Sequence, residues 1–199
     1  MSLKMFLAEA IADFSTVAAV TPSSEQLVEA MIEPLPLAKA RVVVELGPGT
    51  GAMTRALLNA LPRDATLFVF EVHDRVVEYL KSSICDSRLV LINASADCLD
   101  TELQRRGVDG IDAVVSSLGF GLMTEQQRRA ILDGLRPLLR SDGVFTQFQY
   151  IHGLQFQQGR FRRLNLRPLL RAYFGSVQSK IVWRNLPPAF VFSCRPAQS

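Results

Sequence analysis

At 199 residues the chain has the length of a single domain with a full core, and 48% apolar with 21% charged residues is globular rather than disordered composition. No apolar run approaches the ~20 residues of a membrane span, and the apolar N-terminus is broken by Glu9 and Asp13 with no small-residue cleavage site after it, so the expectation is a cytoplasmic protein without signal peptide or span. The net charge of +3 hides an asymmetry, because residues 136–199 carry ten Lys/Arg against one acid, Asp142, which suits a polyanion, an anionic membrane or a solvated arginine-rich face.

Leu3, Phe6, Leu7, Ala10, Ile11 and Phe14 recur at helical spacing and predict an amphipathic helix over 2–14. A second helix starts at Thr21-Pro22, or at a capping box of Ser23 with Gln26, and buries Leu27, Val28, Met31 and Ile32. From residue 41, apolar strands at 42–46, 66–71, 88–93, 111–117 and 143–150 alternate with helices. These fall at 53–61, around Val76, Val77 and Leu80, at 99–106 and at 124–139. Such alternation predicts a parallel sheet covered on both faces. Arg160, Arg163, Arg167 and Arg171 are spaced 3, 4 and 4, which predicts one basic face on a helical stretch over 160–173, started or kinked at Pro168. Two last strand-like runs flank Asn185-Leu186-Pro187-Pro188, a turn short enough to require an antiparallel pair. The whole reads as one domain, 1–199, with a helical extension at 1–40 and a cofactor-binding core at 41–199.

Cys85, Cys98 and Cys194 are odd in number and match no metal-ligand spacing. With only His73 and His152 beside them, no metal site is expected, and the thiols are expected reduced and packed.

Between the first strand and its helix lies Glu45-Leu46-Gly47-Pro48-Gly49-Thr50-Gly51-Ala52. Glycines there permit a tight turn and let a ligand approach the backbone, and the helix start favours polar or anionic groups. Gly47-x-Gly49-x-x-Ala52 also fits a dinucleotide fingerprint, and Glu71 at the end of the second strand suits ribose hydroxyls of either NAD or S-adenosylmethionine. Glu45 separates the two, since an acid at the strand end complements a sulfonium and an ammonium but repels a pyrophosphate. Ala96-Asp97 follows the third strand, and the antiparallel hairpin closes the chain; both are features that methyltransferases share.

With E-L-G-P-G-T-G, F-E at 70–71 and A-D at 96–97, the chain resembles class I S-adenosylmethionine-dependent methyltransferases. VAAVTPSS (17–24), VVSSLGFGL (114–122), GVFTQFQY (143–150) and WRNLPPAFVF (183–192) resemble bacterial phospholipid N-methyltransferases, themselves similar to rRNA adenine dimethyltransferases. Gly119 stands where that family typically has proline. The resemblance implies an α/β, Rossmann-like fold with a seven-stranded, mostly parallel sheet, a C-terminal antiparallel hairpin and N-terminal helices. It implies S-adenosyl-L-methionine as cofactor, held by Glu45, Gly47, Gly49, Gly51, Glu71, Val72, Ala96, Asp97 and Ser116. It places the methyl acceptor near Ser117, Leu118 and Tyr150, where an aromatic face suits a methylated ammonium; His152 is a weaker candidate base. The reaction expected is methylation of the ethanolamine amine of a phospholipid, with peripheral docking through residues 1–14 and the arginine-rich segment. Two alternatives stay open: an RNA adenine methyltransferase, although Ser117-Leu118-Gly119-Phe120 lacks the Asn/Asp-x-Pro-Phe/Tyr tetrapeptide, and a non-catalytic cofactor- or lipid-binding module of the same fold.

Overall fold

The computed structural model describes residues 24–151, 154–157 and 160–197, with the backbone alone at 154–157 and 160–163. The expected helix at 2–14, the caps at Thr21 and Ser23, and His152 lie outside the described residues. The chain enters at Ser24, whose hydroxyl accepts from the Leu27 amide and so caps α1 (Glu25–Ile32). Leu27 and Met31 of the expected stripe are buried, and Val28 and Ile32 pack beside them.

The strand–helix alternation is realised as β1 (Val42–Leu46), α2 (Ala52–Ala60), β2 (Thr66–Phe70), α3 (Asp74–Ser83), β3 (Leu89–Ile92), α4 (Leu99–Gln104), β4 (Ile111–Ser116), α5 (Glu125–Leu138) and β5 (Leu139–Tyr150). β5 begins four residues earlier than the apolar run at 143, because α5 passes into it directly and the ladder with β4 shifts register between Ile111 and Ala113. The segment expected as one basic helix is instead a hairpin, β6 (Leu154–Gln157) paired with β7 (Arg160–Arg163), followed by the short α6 (Arg167–Tyr173). LQFQ alternates apolar and polar residues, and Arg160-Phe161-Arg162 does so again after Gln158-Gly159, a period-2 pattern that outweighs the arginine spacing. Pro168 sits in the first turn of α6, where its missing N–H costs nothing. Arg160 and Arg163 therefore share no helical face with Arg167 and Arg171. The chain closes with β8 (Ser176–Val182) and β9 (Ala189–Arg195).

Seven strands form one sheet in the order β3-β2-β1-β4-β5-β9-β8. The first five are parallel and β9 runs against both of its neighbours, as the antiparallel hairpin requires. One core layer sets Leu27, Met31, Leu57 and Leu58 of α1 and α2 against Val43, Val69 and Val115. The other sets Leu99, Leu103, Ile131, Leu132, Leu135 and Leu170 of α4, α5 and α6 against Val44, Phe70 and Val114. Adjacent strand residues alternate between these layers, so the sheet is buried on both sides. Among the cysteines, Cys194 is packed, with burial pushing its thiol up to about 12. Cys85 and Cys98, expected packed, are exposed and free. No helix among the described residues is long and apolar enough to cross a membrane.

Candidate active site

The strand order reverses between β1 and β4, and in open parallel sheets ligands bind there, beyond the carboxyl ends. The ladder runs past the strands at this edge. Gly47 donates to the Phe70 carbonyl (3.1 Å), Ser117 to Leu46 (2.9 Å) and Glu71 to Ile92 (3.1 Å). These bonds bring the glycine loop, Glu71 and the Ser116–Ser117 strand end to one rim.

Gly47, Gly49 and Gly51 all have positive φ, 74°, 52° and 76°, a conformation that carries a penalty for residues with a Cβ. Gly47 is also a contact: a Cβ there would lie 2.9 Å from Leu118 Cδ2, so the cofactor loop and the loop after β4 touch through Leu118. At Gly49 a Cβ would meet nothing within 4 Å, which leaves the loop backbone open on that side.

Glu45 lies under this loop, fully buried, and neither carboxylate oxygen has a hydrogen-bond partner among the described residues. Burial pushes its carboxyl up to about 8; the Thr54 hydroxyl nearby offsets part of that, and the charge of Glu71 adds to it. An ionised acid at this depth is costly alone and stabilised beside a cation. Glu71 is the second buried acid. Its Oε1 accepts from the Val72 amide (2.9 Å), the His73 amide (3.0 Å) and His73 Nδ1 (2.7 Å). These three contacts all fall on Oε1 and fix the carboxylate. Val72 beside it is 52% exposed, an apolar surface on the rim. Ala96 is buried, and Asp97 is exposed in a short 3-10 turn after β3, within reach of the Cys98 thiol (3.6 Å).

The loop after β4 is held from outside itself. Ser116 is buried, its hydroxyl turned to the Leu118 amide (3.4 Å). The Leu118 carbonyl receives Gln147 Nε2 (2.9 Å) and the Phe120 amide (2.8 Å), so both of its lone pairs are engaged. The Arg128 guanidinium donates from one nitrogen to the carbonyls of Phe120 (2.7 Å) and Met123 (2.6 Å). Arg128 is 5% exposed, and burial lowers its pKa. Gln147, Arg128 and Thr54 are absent from the sequence-based site. Two of them carry a visible signal: Arg128 occupies the first position of the apolar stripe Arg128, Ile131, Leu132 and Leu135, and Gln147 interrupts the apolar β5. A polar residue on a core stripe is buried for a reason.

Tyr150 ends β5 half-buried, edge-on to Phe148 (5.2 Å between centroids), with burial raising its hydroxyl pKa. It pairs with Ala189 of β9, and the adjacent Ile151 amide donates to Pro188 (2.9 Å). The closing hairpin thus flanks Tyr150 at the carboxyl end of β5. His73, beside Glu71, braces that carboxylate and makes no side-chain cap on α3. No cluster of metal ligands occurs among the described residues.

A five-strand parallel sheet closed by an antiparallel hairpin, with a glycine loop over a buried acid at the switch point, defines an S-adenosylmethionine-dependent methyltransferase of class I. The family model for the methyltransferase domain matches residues 43–143, about half of the chain, and the protein belongs to that family. It is 28% identical over 192 residues to an ornithine lipid N-methyltransferase of Singulisphaera acidiphila, covering 96% of this chain and 94% of that one. A shorter match, 42% over 59 residues, links 30% of the chain to 21% of ribosomal RNA small subunit methyltransferase A of Laribacter hongkongensis. In fold it is similar to the 1,6-didemethyltoxoflavin-N1-methyltransferase of Burkholderia thailandensis, with TM-score 0.66, 17% identity, and coverage of 98% of this chain and 88% of that one.

Proposed function

We propose that this methyltransferase acts on the primary amine of a membrane aminolipid, the ethanolamine of phosphatidylethanolamine or the ornithine of an ornithine lipid. The observation that carries the reading is the similarity to an ornithine lipid N-methyltransferase along nearly the full length of both chains.

The residues present fit the cofactor. The Glu45 carboxylate, unpartnered among the described residues, offers a counter-charge to a cation, Gly49 leaves the loop backbone open, and the Glu71 carboxylate, fixed through Oε1, offers its other oxygen to ribose hydroxyls. Glu45, Gly47, Gly49, Gly51, Glu71, Val72, Ala96, Asp97 and Ser116 form the cofactor side in this reading, with Val72 as apolar cover and Ser116 as an inward brace. S-adenosylmethionine, when bound, supplies an electrophilic methyl group on a sulfonium sulfur. The chain then has to orient a neutral amine and keep water away. Leu118, with its carbonyl already saturated, separates the acceptor side from the cofactor loop through its side chain. Ser117 offers the acceptor hydrogen-bonding group, and the Tyr150 ring faces the methylated ammonium, a contact worth ~0.5–2 kcal/mol. An amine kept neutral by these groups would hold its lone pair free for the methyl group that the cofactor would supply, and the ammonium formed would remain against the Tyr150 ring.

The test is incorporation of label from methyl-labelled cofactor, run in parallel on liposomes of phosphatidylethanolamine, liposomes of ornithine lipid, ribosomal RNA and small amines. Label in a lipid is expected. Cofactor binding with no label in either lipid would overturn the reading, and label in RNA would replace it with the nucleic-acid one.

A further inference from the structure

Large apolar side chains exposed on the described surface are confined to one place. Val72 follows β2, Leu122 lies in the loop after β4, Ile181 is near the end of β8, and Trp183 and Leu186 form the β8–β9 turn. β8 runs parallel to β5, since both pair antiparallel with β9, so its carboxyl end reaches the same rim as the glycine loop. All five therefore sit on the active edge of the sheet.

The turn at 183–188 is the strongest of these positions. Trp183 is 70% and Leu186 81% exposed, whereas Asn185 between them is buried. Asn185 Nδ2 donates to the Pro187 carbonyl (2.7 Å) and its Oδ1 accepts from the Ser24 amide (3.2 Å). Pro188 is tied to the end of β5 through Ile151. The backbone of the turn is thus fixed from α1 and β5 and by one bond within itself, and its two largest apolar side chains are exposed. Arg184 stands exposed between them and makes no ion pair among the described residues, while Lys180 is engaged with Glu33.

We propose that this turn is a lipid anchor: Trp183 and Leu186 enter the boundary between headgroups and acyl chains of an anionic bilayer, Arg184 meets the phosphates, and the active edge is thereby set against the surface that carries the substrate. The inference rests on the aminolipid reading above. Trp favours the interface because its ring is apolar and its N–H wants a wet partner. Arginines near an anionic surface add about 1 kcal/mol each, and the C-terminal third, with ten Lys/Arg against one acid, has the sign for it. An RNA strand would stack on Trp183 but gains nothing from the more exposed aliphatic Leu186, so lipid is the better occupant.

Trp183 is the only tryptophan in the chain, so its emission reports the turn directly. The full chain is titrated with vesicles of phosphatidylethanolamine and phosphatidylglycerol, plain and with brominated acyl chains. The expected result is a blue shift, quenching by the brominated lipid, and about ten-fold weaker vesicle binding for the Trp183→Ser/Leu186→Ser double variant, with an unchanged melting temperature. That ratio is equivalent to about 1.4 kcal/mol, less than the full burial of one such side chain. Vesicle binding and lipid methylation with an unshifted Trp183 overturn the anchor and leave the aminolipid reading intact. Insertion of Trp183 without any lipid methylation keeps the anchor and sinks the acceptor assignment. A shift produced by RNA and not by vesicles, or one that grows with protein concentration alone, overturns the anchor in favour of base stacking or a second copy.

Discussion

The two edges of the sheet are built on opposite electrostatic plans. At the amino edge charges are matched in pairs: Lys39 with Asp142, Arg41 with Asp64, Arg88 with Asp86, and Arg140 with Asp109 and Asp112. Asp112 also accepts from the Arg41 (2.7 Å) and Val42 (2.9 Å) amides and so closes the start of β1. At the carboxyl edge Glu45 is buried without a hydrogen-bond partner among the described residues, and apolar side chains face outward. One edge is complete in itself; the other is complementary to things that are not protein. The edges also answer pH in opposite senses. Hydrogen bonds from Arg88 hold Asp86 down to about 2, so its contribution is present above the ordinary carboxylate range and is lost as pH falls through 2. Glu45, raised from 4.5 to about 8, costs the folded state progressively more as pH rises between those values and no more above 8.

The sharpest way to break the contrast is Glu45→Gln. Removing the counter-charge should weaken S-adenosylmethionine binding by about a hundred-fold in calorimetry, the scale of an unpaired buried charge. The same change should raise the melting temperature of the cofactor-free protein by about 5 °C at pH 8.5 and leave it nearly unmoved at pH 5, where Glu45 already holds its proton. In the wild type, affinity should climb from pH 6 to about 8 and fall beyond it, as the cofactor's own α-amine, of reference pKa about 8, loses its proton. Next in size is Arg128→Met, which removes the guanidinium donor to the carbonyls of Phe120 and Met123. It should lower kcat by about ten-fold and stability by about 2 kcal/mol while cofactor affinity stays within a factor of two; a lost affinity with intact kcat would place Arg128 on the wrong side of the site. Asp112→Ala, at the other edge, should cost about 1–2 kcal/mol in urea unfolding and nothing in kcat. Arg140→Ala should cost less than about 0.5 kcal/mol, since its pairs are exposed and long at 3.8 and 3.3 Å.

Much of this was legible in residue order. Three valines, an acid and a leucine, followed by three glycines, announce β1 and its loop, because a strand covered on both faces is apolar along nearly its whole length. The hairpin at the end was equally legible, since four turn residues admit only an antiparallel return. The basic segment misled because arginines at 160, 163, 167 and 171 fit a helical period that Gly159, the alternation of Arg160-Phe161-Arg162 and Pro168 together override. Arg128 and Gln147 escaped notice for another reason: their importance lies in which carbonyls they reach, across 29 residues of chain in the case of Gln147, and spacing carries no record of that.

The clasp on the loop after β4 bears on how such a protein changes over time. Since Gln147 and Arg128 reach in from β5 and α5, the backbone of 118–123 owes little of its course to its own side chains. A Cβ at Gly119 would touch only Leu122, at 3.4 Å or more, so glycine is no steric requirement there; Gly119→Ala should shift stability by less than about 1 kcal/mol. The loop is a socket whose inserts can be exchanged while the fitting stays in place.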